Sequence, residues 1–368
     1  MSDFPWPNFP WPEPGARIED LPTPIVVIDE DRMRANIARV QSYMDGIGRA
    51  FRPHVKTHKL PFVAGLQLAA GAVGLNCQKL TEAEVFAEAG YQDILITYNM
   101  LGAARLSRLA ALNARIDRLS VTADSPEVVA GLAGVFGAAR PLTVLVECET
   151  GANRCGVQSP EAARALARQI AAAKGLRLGG LRTYPPAGGA AAVEAFFSRT
   201  LALLAADGII CPVVSLGGTP DLFSSHLVPS ATEHRAGTCI YNDRATVRAG
   251  HATLEDCAMH VLTTVISRPT EDRAVLDAGS KALTSDLSGF ADHGLIVEYP
   301  QARIAKLSEE HGAVDLSDCT GARPALGERL RVVPNHTCVV TNLFDRIVFH
   351  RGGVVSRVET VTARGRVW

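Results

Sequence analysis

Three features are scarce in this chain of 368 residues, and each absence narrows what the protein can be. Net charge is nearly absent, because 37 Lys and Arg residues balance 38 Asp and Glu residues, so the basic surplus of a general nucleic-acid binder is missing. No apolar run of about 18 residues or more occurs, so we predict no membrane span. The N-terminus lacks the basic start and apolar run of a secretory signal, which favours a cytoplasmic protein.

Cysteine pairs are also absent. The eight cysteines are Cys77, Cys148, Cys155, Cys211, Cys239, Cys257, Cys319 and Cys338. None forms a Cys-x-x-Cys motif, and several lie inside apolar runs, so free thiols in a reducing compartment are a better interpretation than disulfides. The composition, 47% hydrophobic and 20% charged, is that of a globular protein and excludes a mostly disordered chain.

From about residue 50 to residue 250, short β-like runs alternate with amphipathic helical stretches. Eight predicted strands start near Phe51, Val73, Ile94, Leu119, Leu142, Leu178, Val213 and His234. Ser125-Pro126 and Ser159-Pro160 predict helix starts, because serine caps a helix and proline suits its first turn. Eight such units in this length are typical of a (β/α)8 barrel. An open doubly wound sheet is the alternative, but no Gly-x-Gly-x-x-Gly follows the first strand.

After about residue 250 the pattern becomes strand-rich. The predicted strands are Val261–Ser267, Ala274–Asp277, Arg303–Leu307, Arg329–Val333, Arg346–His350 and Val354–Thr362. We therefore predict an α/β fold, a (β/α)8 barrel followed by a mainly β C-terminal domain. The predicted division is an N-terminal arm and strand over 1–30, which could join the β domain through 24–29, a barrel over 31–250 and a β-rich domain over 251–368.

The end of the first barrel strand carries a dense cationic motif, Arg-Pro-His-Val-Lys-Thr-His-Lys, over residues 52–59. Active sites of barrels form at the carboxyl ends of the strands. A lysine there can become a nucleophilic amine when burial or a neighbouring cation lowers its pKa. Lys56 is thus a candidate nucleophile; a solvated basic loop is the alternative.

Two further loops would lie at the same end of the barrel. Gly217-Gly218-Thr219 follows the seventh strand, where barrels often bind phosphate and where glycine lets a phosphate approach the backbone. Arg154 lies in a Gly-rich loop after the fifth strand. A plain turn and an ordinary surface arginine are the alternatives.

The strand-rich part contains Pro-Asn-His-Thr-Cys over residues 334–338. On an extended segment, side chains two apart point the same way, so His336 and Cys338 would face one point. Imidazole and thiolate suit Zn²⁺ or a similar ion, with the other coordination positions open as in a catalytic site. A purely structural pair is the alternative.

Taken together, these motifs resemble the fold-type III pyridoxal-phosphate enzymes of the D-threonine aldolase and D-serine dehydratase group, with alanine racemases as more distant relatives. The resemblance runs from about Leu21 to Arg366. It is most specific in RPHVKTHK at 52–59, NCQKLTEAEV at 76–85, DILITYN at 93–99, LDAGSKAL at 276–283, EEHG at 309–312 and VPNHTCVVTNLFD at 333–345.

The resemblance implies roles for individual residues. Lys56 would hold pyridoxal phosphate covalently, Arg154 would lie beside its phenolic oxygen and Tyr184 would contact its ring. Gly217, Gly218 and Thr219 would bind its phosphate, with Tyr241 and Asn242 nearby. His336 and Cys338 would bind a divalent metal, Mn²⁺, Mg²⁺ or Zn²⁺, with His336 also counted as catalytic.

The resemblance implies a lyase acting on β-hydroxy-D-amino acids. We expect retro-aldol cleavage to glycine and an aldehyde, because the barrel motifs are more similar to the aldolases. The alternative is β-elimination to a keto acid and ammonia, as in D-serine or 3-hydroxy-D-aspartate dehydratases, because His-x-Cys is similar to the dehydratases. An amino-acid racemase is a further alternative, and a cofactor carrier without turnover is disfavoured by the strand-rich part.

Three expectations remain. Relatives are homodimers, so we expect a homodimer in which Trp6 and Trp11 reach a partner subunit. His311 and Asp277 are lesser candidates for substrate contact or proton transfer. Arg52, Arg235 or Arg323 could read a second carboxylate of the substrate.

Overall fold

A computed structural model describes residues 11–368 and divides the chain into two compact units. The barrel unit consists of residues 35–240, 248–252 and 365–368, and the described part of the β unit consists of residues 11–34, 241–247 and 253–364. Strand β1 (Ile25–Asp29) belongs to the β unit, and helix α1 (Glu30–Gly46) continues the chain from it. Trp6 lies outside the described residues.

The barrel unit is built on eight parallel strands. They are Ala50–Phe51 (β2), Leu75–Cys77 (β3), Asp93–Asn99 (β4), Arg118–Ala123 (β5), Leu142–Cys148 (β6), Leu176–Thr183 (β7), Val213–Gly217 (β8) and Glu233–Arg235 (β9). Their order is β2-β9-β8-β7-β6-β5-β4-β3, and a parallel bridge between His54 and Asn76 joins the two ends of the sheet. The sheet is thereby closed into a barrel.

Helices connect the barrel strands. They are Pro61–Ala69 (α2), Leu80–Glu88 (α3), Ala103–Arg115 (α4), Pro126–Ala133 (α5), Pro160–Ala172 (α6) and Ala190–Ala206 (α7). The Ser125 hydroxyl accepts a hydrogen bond from the Val128 amide at 3.4 Å, and Ser159 accepts one from Ala162 at 3.1 Å. Both serines therefore cap their helices as predicted, with proline at the first helical position.

The β unit holds a nine-stranded sheet that contains β1. Its other strands are Met259–Thr270 (β10), Arg273–Leu276 (β11), Leu295–Ile296 (β12), Arg303–Leu307 (β13), Gly312–Asp315 (β14), Arg329–Val333 (β15), Arg346–Arg351 (β16) and Val354–Thr360 (β17). The order is β11-β14-β13-β12-β15-β10-β1-β16-β17, and β11 also pairs with β10. This last pairing closes six antiparallel strands into a second barrel, which β1, β16 and β17 extend. The short helices are Arg244–Arg248 (α8), Ser280–Leu283 (α9) and Thr337–Leu343 (α10).

The predicted fold class, a (β/α)8 barrel with a mainly β C-terminal domain, is confirmed. The last four residues, which the sequence placed with the β-rich part, group with the barrel unit. The cause is local, because Thr81 in α3 donates two hydrogen bonds to the Trp368 carbonyl and Arg108 stacks on the Trp368 ring. Trp11 packs on the apolar cluster around β1, with Arg346 over its ring at 5.3 Å. No helix in the described part of the chain is long and apolar enough to cross a membrane.

Candidate active site

Lys56 lies in a single 3₁₀ turn, Val55–Thr57, directly after barrel strand β2. The turn starts at His54, whose Nδ1 accepts a hydrogen bond from the Lys56 amide at 3.4 Å. Burial, together with the charge of Lys56, lowers the pKa of His54 well below its ordinary value, so the imidazole is neutral. Its Nε2 therefore donates to Gln78 Oε1 at 3.0 Å. The backbone that carries Lys56 is thus bound to the loop after β3.

The other end of the turn is held by a buried ion pair. Lys59 has a left-handed backbone (φ 55°), and its ammonium lies 2.7 Å from Glu82 Oε1, with the two side chains 8% and 1% exposed. The second oxygen of Glu82 accepts a hydrogen bond from the Gln78 amide at 2.7 Å. Gln78, in the loop after β3, and Glu82, in helix α3, therefore fix the lysine turn at its two ends, and the motifs at 52–59 and 76–85 meet here.

Arg154 and Tyr184, predicted to contact one cofactor, lie together in the structure. The guanidinium of Arg154 stacks on the Tyr184 ring at 4.4 Å, and Tyr184 is 37% exposed. The loop that carries Arg154 folds around Glu149, whose carboxylate accepts the Arg154 amide at 2.9 Å and several neighbouring amides. Those hydrogen bonds lower the pKa of Glu149 although its partial burial opposes them. A planar cation and a phenol ring are thus available to an aromatic cofactor at this end of the barrel.

The predicted phosphate loop lies at the end of β8 and is crowded at Gly217. A Cβ on Gly217 would lie 2.7 Å from Arg235 Nη2, and Gly218 has φ +112°, a left-handed conformation that favours glycine. The Gly218 amide donates to the Arg235 carbonyl at 2.8 Å. Thr219 follows as a buried residue with a hydroxyl. Glycine backbone and one hydroxyl are the groups with which loops of this kind receive phosphate, so this segment fits one.

The three arginines expected to read a second carboxylate each have partners within the protein, which disfavours that role. Arg52 pairs with Glu233 and Asp93, each at 2.8 Å. Arg235 is buried in the barrel and donates to the Ser215 hydroxyl and the Thr183 carbonyl. Arg323 pairs with Asp272 on the surface of the β unit. Sequence spacing could not show these partners, which are distant in the chain.

In the β unit, the side chains of His336 and Cys338 interact directly. His336 Nδ1 lies 2.9 Å from Oδ2 of Asp243, a fully buried carboxylate. The same oxygen accepts the Thr337 amide at 3.1 Å, and Oδ1 accepts the Thr246 amide at 2.9 Å. Asp243 fixes the ring so that Nε2 is the nitrogen able to bind an ion, which is the carboxylate–histidine–metal arrangement of many metal sites.

The electrostatics of this pair also suit a cation. The charge of a Cys338 thiolate and the hydrogen bonds that the His336 ring donates to Asp243 and Cys338 raise the pKa of His336 to about 11, although burial opposes the shift. The ring therefore holds a proton at the place that a divalent ion would take. Within residues 11–368 no group of three or more His, Cys, Asp or Glu side chains is placed to hold an ion. The pair therefore offers one nitrogen and one sulfur donor, a set that borderline divalent ions accept, with the remaining positions open.

The backbone conformation that brings His336 and Cys338 together differs from the predicted one. Only His336 is extended (φ −147°, ψ 120°), whereas Cys338 lies in the first turn of α10. The two side chains meet at the start of a helix rather than on one face of a strand. Asp243, which sequence reasoning missed, precedes α8 and is 93 positions away, so no local pattern could have identified it.

The remaining predicted residues are Tyr241, Asn242, Asp277 and His311. The Tyr241 side chain is fully buried, and its hydroxyl has no hydrogen-bond partner among the described residues, so it is available to a ligand. Asn242 instead donates to the Asp256 carbonyl at 3.3 Å. Asp277 accepts from Thr23, Thr263 and the Thr264 amide, which is a structural role, and His311 is exposed at the start of β14.

Comparison with known proteins gives consistent matches to both units. The family model for the alanine racemase N-terminal domain matches residues 28–245, and the serine dehydratase domain model matches residues 258–350. A D-threonine aldolase of an Arthrobacter species is 34% identical over 371 residues, 96% of this chain and 95% of the aldolase. The D-threo-3-hydroxyaspartate dehydratase of Delftia sp. is 35% identical over 352 residues, 86% of this chain and 91% of the dehydratase.

A solved structure extends the likeness to three dimensions. The crystal structure of a D-threonine aldolase from Filomicrobium marinum is similar with a TM-score of 0.89 and 32% identity. The alignment covers 97% of this chain and 100% of the aldolase chain. Both units of the chain therefore have counterparts in that protein.

Proposed function

The chain belongs to the fold-type III pyridoxal-phosphate enzymes, in the group of lyases that includes D-threonine aldolase, and we propose that it cleaves β-hydroxy-D-amino acids to glycine and an aldehyde. When bound, pyridoxal phosphate supplies an electron sink that stabilises negative charge at the substrate Cα. Which bond breaks is decided by the residues of this chain. The proposal needs an amine to carry the cofactor and an ion to hold the hydroxyl of the substrate.

We assign the cofactor to the end of the barrel described above. Lys56 carries it covalently, and the clamp formed by His54, Gln78 and Glu82 fixes the direction of that amine. Arg154 and Tyr184 supply a stacked cation and ring beside the cofactor. The phosphate is received by Gly217, Gly218 and Thr219, and Tyr241 and Asn242 are kept as further candidate contacts. The support is the geometry of each group and the family match.

We assign a divalent ion, Mn²⁺, Mg²⁺ or Zn²⁺, to His336 and Cys338, oriented by Asp243. The ion's role would be to act as a Lewis acid toward the β-hydroxyl of the substrate. A related observation is the structure of a D-threo-3-hydroxyaspartate dehydratase with a cysteine-to-alanine substitution, which was solved in the metal-free form. The pair His336–Asp243 is the single observation that carries the proposal, because a racemase of this fold needs no ion at that place.

Retro-aldol cleavage requires that the hydroxyl proton be removed while the Cα–Cβ bond breaks. The aldolases match this chain over nearly its full length in sequence and in structure, which supports that outcome. Dehydration is the second candidate, supported by the serine dehydratase match over residues 258–350, which includes the His-x-Cys pair. In that reaction the amine of Lys56 removes the Cα proton and the hydroxyl leaves.

A product assay distinguishes the two reactions. Purified holoenzyme is incubated with D-threonine, D-serine, D-phenylserine and 3-hydroxy-D-aspartate, with and without added Mn²⁺, Mg²⁺ or Zn²⁺. We expect glycine plus the corresponding aldehyde, dependent on the ion. A keto acid plus ammonia would contradict the aldolase assignment, and inversion of a simple amino acid that survives chelation would contradict the lyase assignment.

We also propose that the protein is a cytoplasmic homodimer. The family resemblance supports the dimer, and the eight free cysteines are consistent with a reducing compartment. Light scattering of the holoenzyme tests the assembly, for which a monomeric mass is the contrary result.

A further inference from the structure

The relatives of this chain act on substrates that differ in charge at Cβ. Their names include D-threonine, which carries a methyl group there, and 3-hydroxyaspartate, which carries a carboxylate. An enzyme that prefers the second kind needs a cation that is not already neutralised by the protein. The cations that follow the barrel strands are the candidates for this role.

Most of these cations have fixed partners. Arg52 and Lys59 are paired with buried carboxylates, and Arg235 is bound to the Ser215 hydroxyl and a backbone carbonyl. Lys56 and Arg154 have been assigned to the cofactor above. Lys79, in the loop between β3 and α3, is left over.

The Lys79 ammonium lies 3.7 Å from the centroid of the Tyr98 ring, and no carboxylate in the described part of the chain pairs with it. The nearby acids have other partners, because Glu82 binds Lys59 and Glu84 binds Arg108. An aromatic face holds a cation without cancelling its charge, so Lys79 keeps its affinity for an anion. Tyr98 itself is 38% exposed, at the carboxyl end of β4.

The position of Lys79 is unfavourable for the helix it precedes. Lys79 is the N-cap of α3 and makes no capping hydrogen bond, where Ser, Thr, Asp or Asn would stabilise the helix. Its positive charge also meets the positive end of the helix dipole, which is unfavourable. A residue that violates two local rules at the catalytic end of a barrel is a candidate for a role in function.

Lys79 is also connected to the amine that we assign to the cofactor. Its neighbour Gln78 accepts from His54, which in turn binds the Lys56 amide. The Gln78 side chain donates to the Thr97 carbonyl, next to Tyr98. One hydrogen-bonded path therefore connects the Lys56 backbone with Gln78 and Thr97, the chain neighbours of Lys79 and Tyr98, at the ends of three successive barrel strands.

We infer that Lys79 is a specificity-determining residue that binds a carboxylate on Cβ of the substrate, so that dicarboxylic β-hydroxy-D-amino acids are preferred to neutral ones. The inference rests on the proposed function and deepens it. A charged hydrogen bond of this kind corresponds to about a 10- to 100-fold change in affinity.

The test compares kcat/KM for 3-hydroxy-D-aspartate and D-threonine in the holoenzyme and in Lys79→Gln, Lys79→Arg and Lys174→Gln. Lys174 is an exposed lysine between α6 and β7, at the other end of the barrel, and serves as the matched control. We expect Lys79→Gln to lower kcat/KM for the dicarboxylic substrate at least about tenfold and to leave D-threonine within about twofold. Lys79→Arg, which keeps the charge and the stacking, should restore the preference.

A binding measurement keeps the test independent of the reaction type. D-aspartate and D-alanine have no β-hydroxyl, so each is titrated into the same variants while the cofactor absorption near 400 nm is followed. Selective weakening for D-aspartate in Lys79→Gln supports the inference even if the products are those of a dehydratase. Equal weakening for both ligands, which would mean binding of the α-carboxylate or a structural role, overturns the inference, as does no weakening at all.

Discussion

The barrel unit and the β unit hold their functional groups in opposite ways. At the barrel, the Lys56 turn is held by contacts from the loop after β3 and from helix α3, the Arg154 loop by hydrogen bonds to Glu149, and the glycine loop by a hydrogen bond to the Arg235 carbonyl. In the β unit, the His336 ring contacts only the carboxylate of Asp243 and the side chain of Cys338 among the contacts described above. In the proposed function, cofactor anchoring is therefore distributed over many residues, whereas ion binding is concentrated in His336, Cys338 and Asp243.

This contrast predicts that single substitutions in the β unit cause the larger losses of activity. His336→Ala or Cys338→Ala removes one of the two proposed metal ligands, and we expect loss of bound ion and a fall in kcat of about a thousandfold or more, with the cofactor absorption retained. Activity and metal content by mass spectrometry check this. Cys319→Ala, at a buried cysteine of the same unit, is the matched control. Full activity in His336→Ala would refute the metal assignment.

The buried ion pair Lys59–Glu82 tests how strongly the turn that carries Lys56 is held in the barrel unit. Glu82→Gln leaves the Lys59 ammonium buried without its counter-ion, and we expect the free energy of unfolding to fall by about 3–5 kcal/mol. Glu84→Gln, two positions away in α3, breaks only a partly exposed pair with Arg108 and should cost about 0–1 kcal/mol. Denaturant unfolding of the two holoenzyme variants measures the difference. An equal free energy of unfolding for the two variants would show that the Lys59–Glu82 pair does not hold the Lys56 turn strongly.

The substitution Asp243→Asn tests how far the proposed ion site depends on one carboxylate. The amide preserves shape but loses the charge that orients the His336 ring, so we expect the affinity for the ion to fall about 10- to 100-fold. Isothermal titration of the demetallated variant with Mn²⁺ or Zn²⁺ gives the value. Unchanged affinity would show that His336 is oriented without Asp243.

We expect a smaller loss of stability at acidic pH, through the carboxylate of Glu30. Burial alone would raise the pKa of Glu30, but hydrogen bonds from Arg351, Arg34 and Ser356 outweigh it and lower the pKa to about 2. Because the folded pKa lies below the ordinary glutamate value of 4.5, this carboxylate stabilises the β unit above about pH 4.5 and loses that effect as the pH falls toward 2. Since the arginines are partly exposed, we expect about 1–2 kcal/mol. Thermal unfolding of Glu30→Gln and the parent chain across this range measures it, and parallel curves would contradict the expectation.

The fold could be predicted from the sequence because its signals are local. Alternation of apolar runs with amphipathic stretches identified all eight barrel strands, and Ser-Pro pairs marked two helix starts. The arrangement of the site was harder to predict from the sequence. Asp243 behind His336 and Tyr98 beneath Lys79 are contacts between separate elements, and the helical start at Cys338 overrode the extended conformation that the His-x-Cys spacing suggested.

The central claim is that the Lys56 amine carries pyridoxal phosphate. Borohydride reduction of the holoenzyme followed by peptide mass mapping tests it most directly. The account predicts that the phosphopyridoxyl group is found on the peptide containing Lys56 and that Lys56→Ala, after reduction and dialysis, retains no cofactor. A colourless protein near 400 nm, or a label on another lysine, would contradict it.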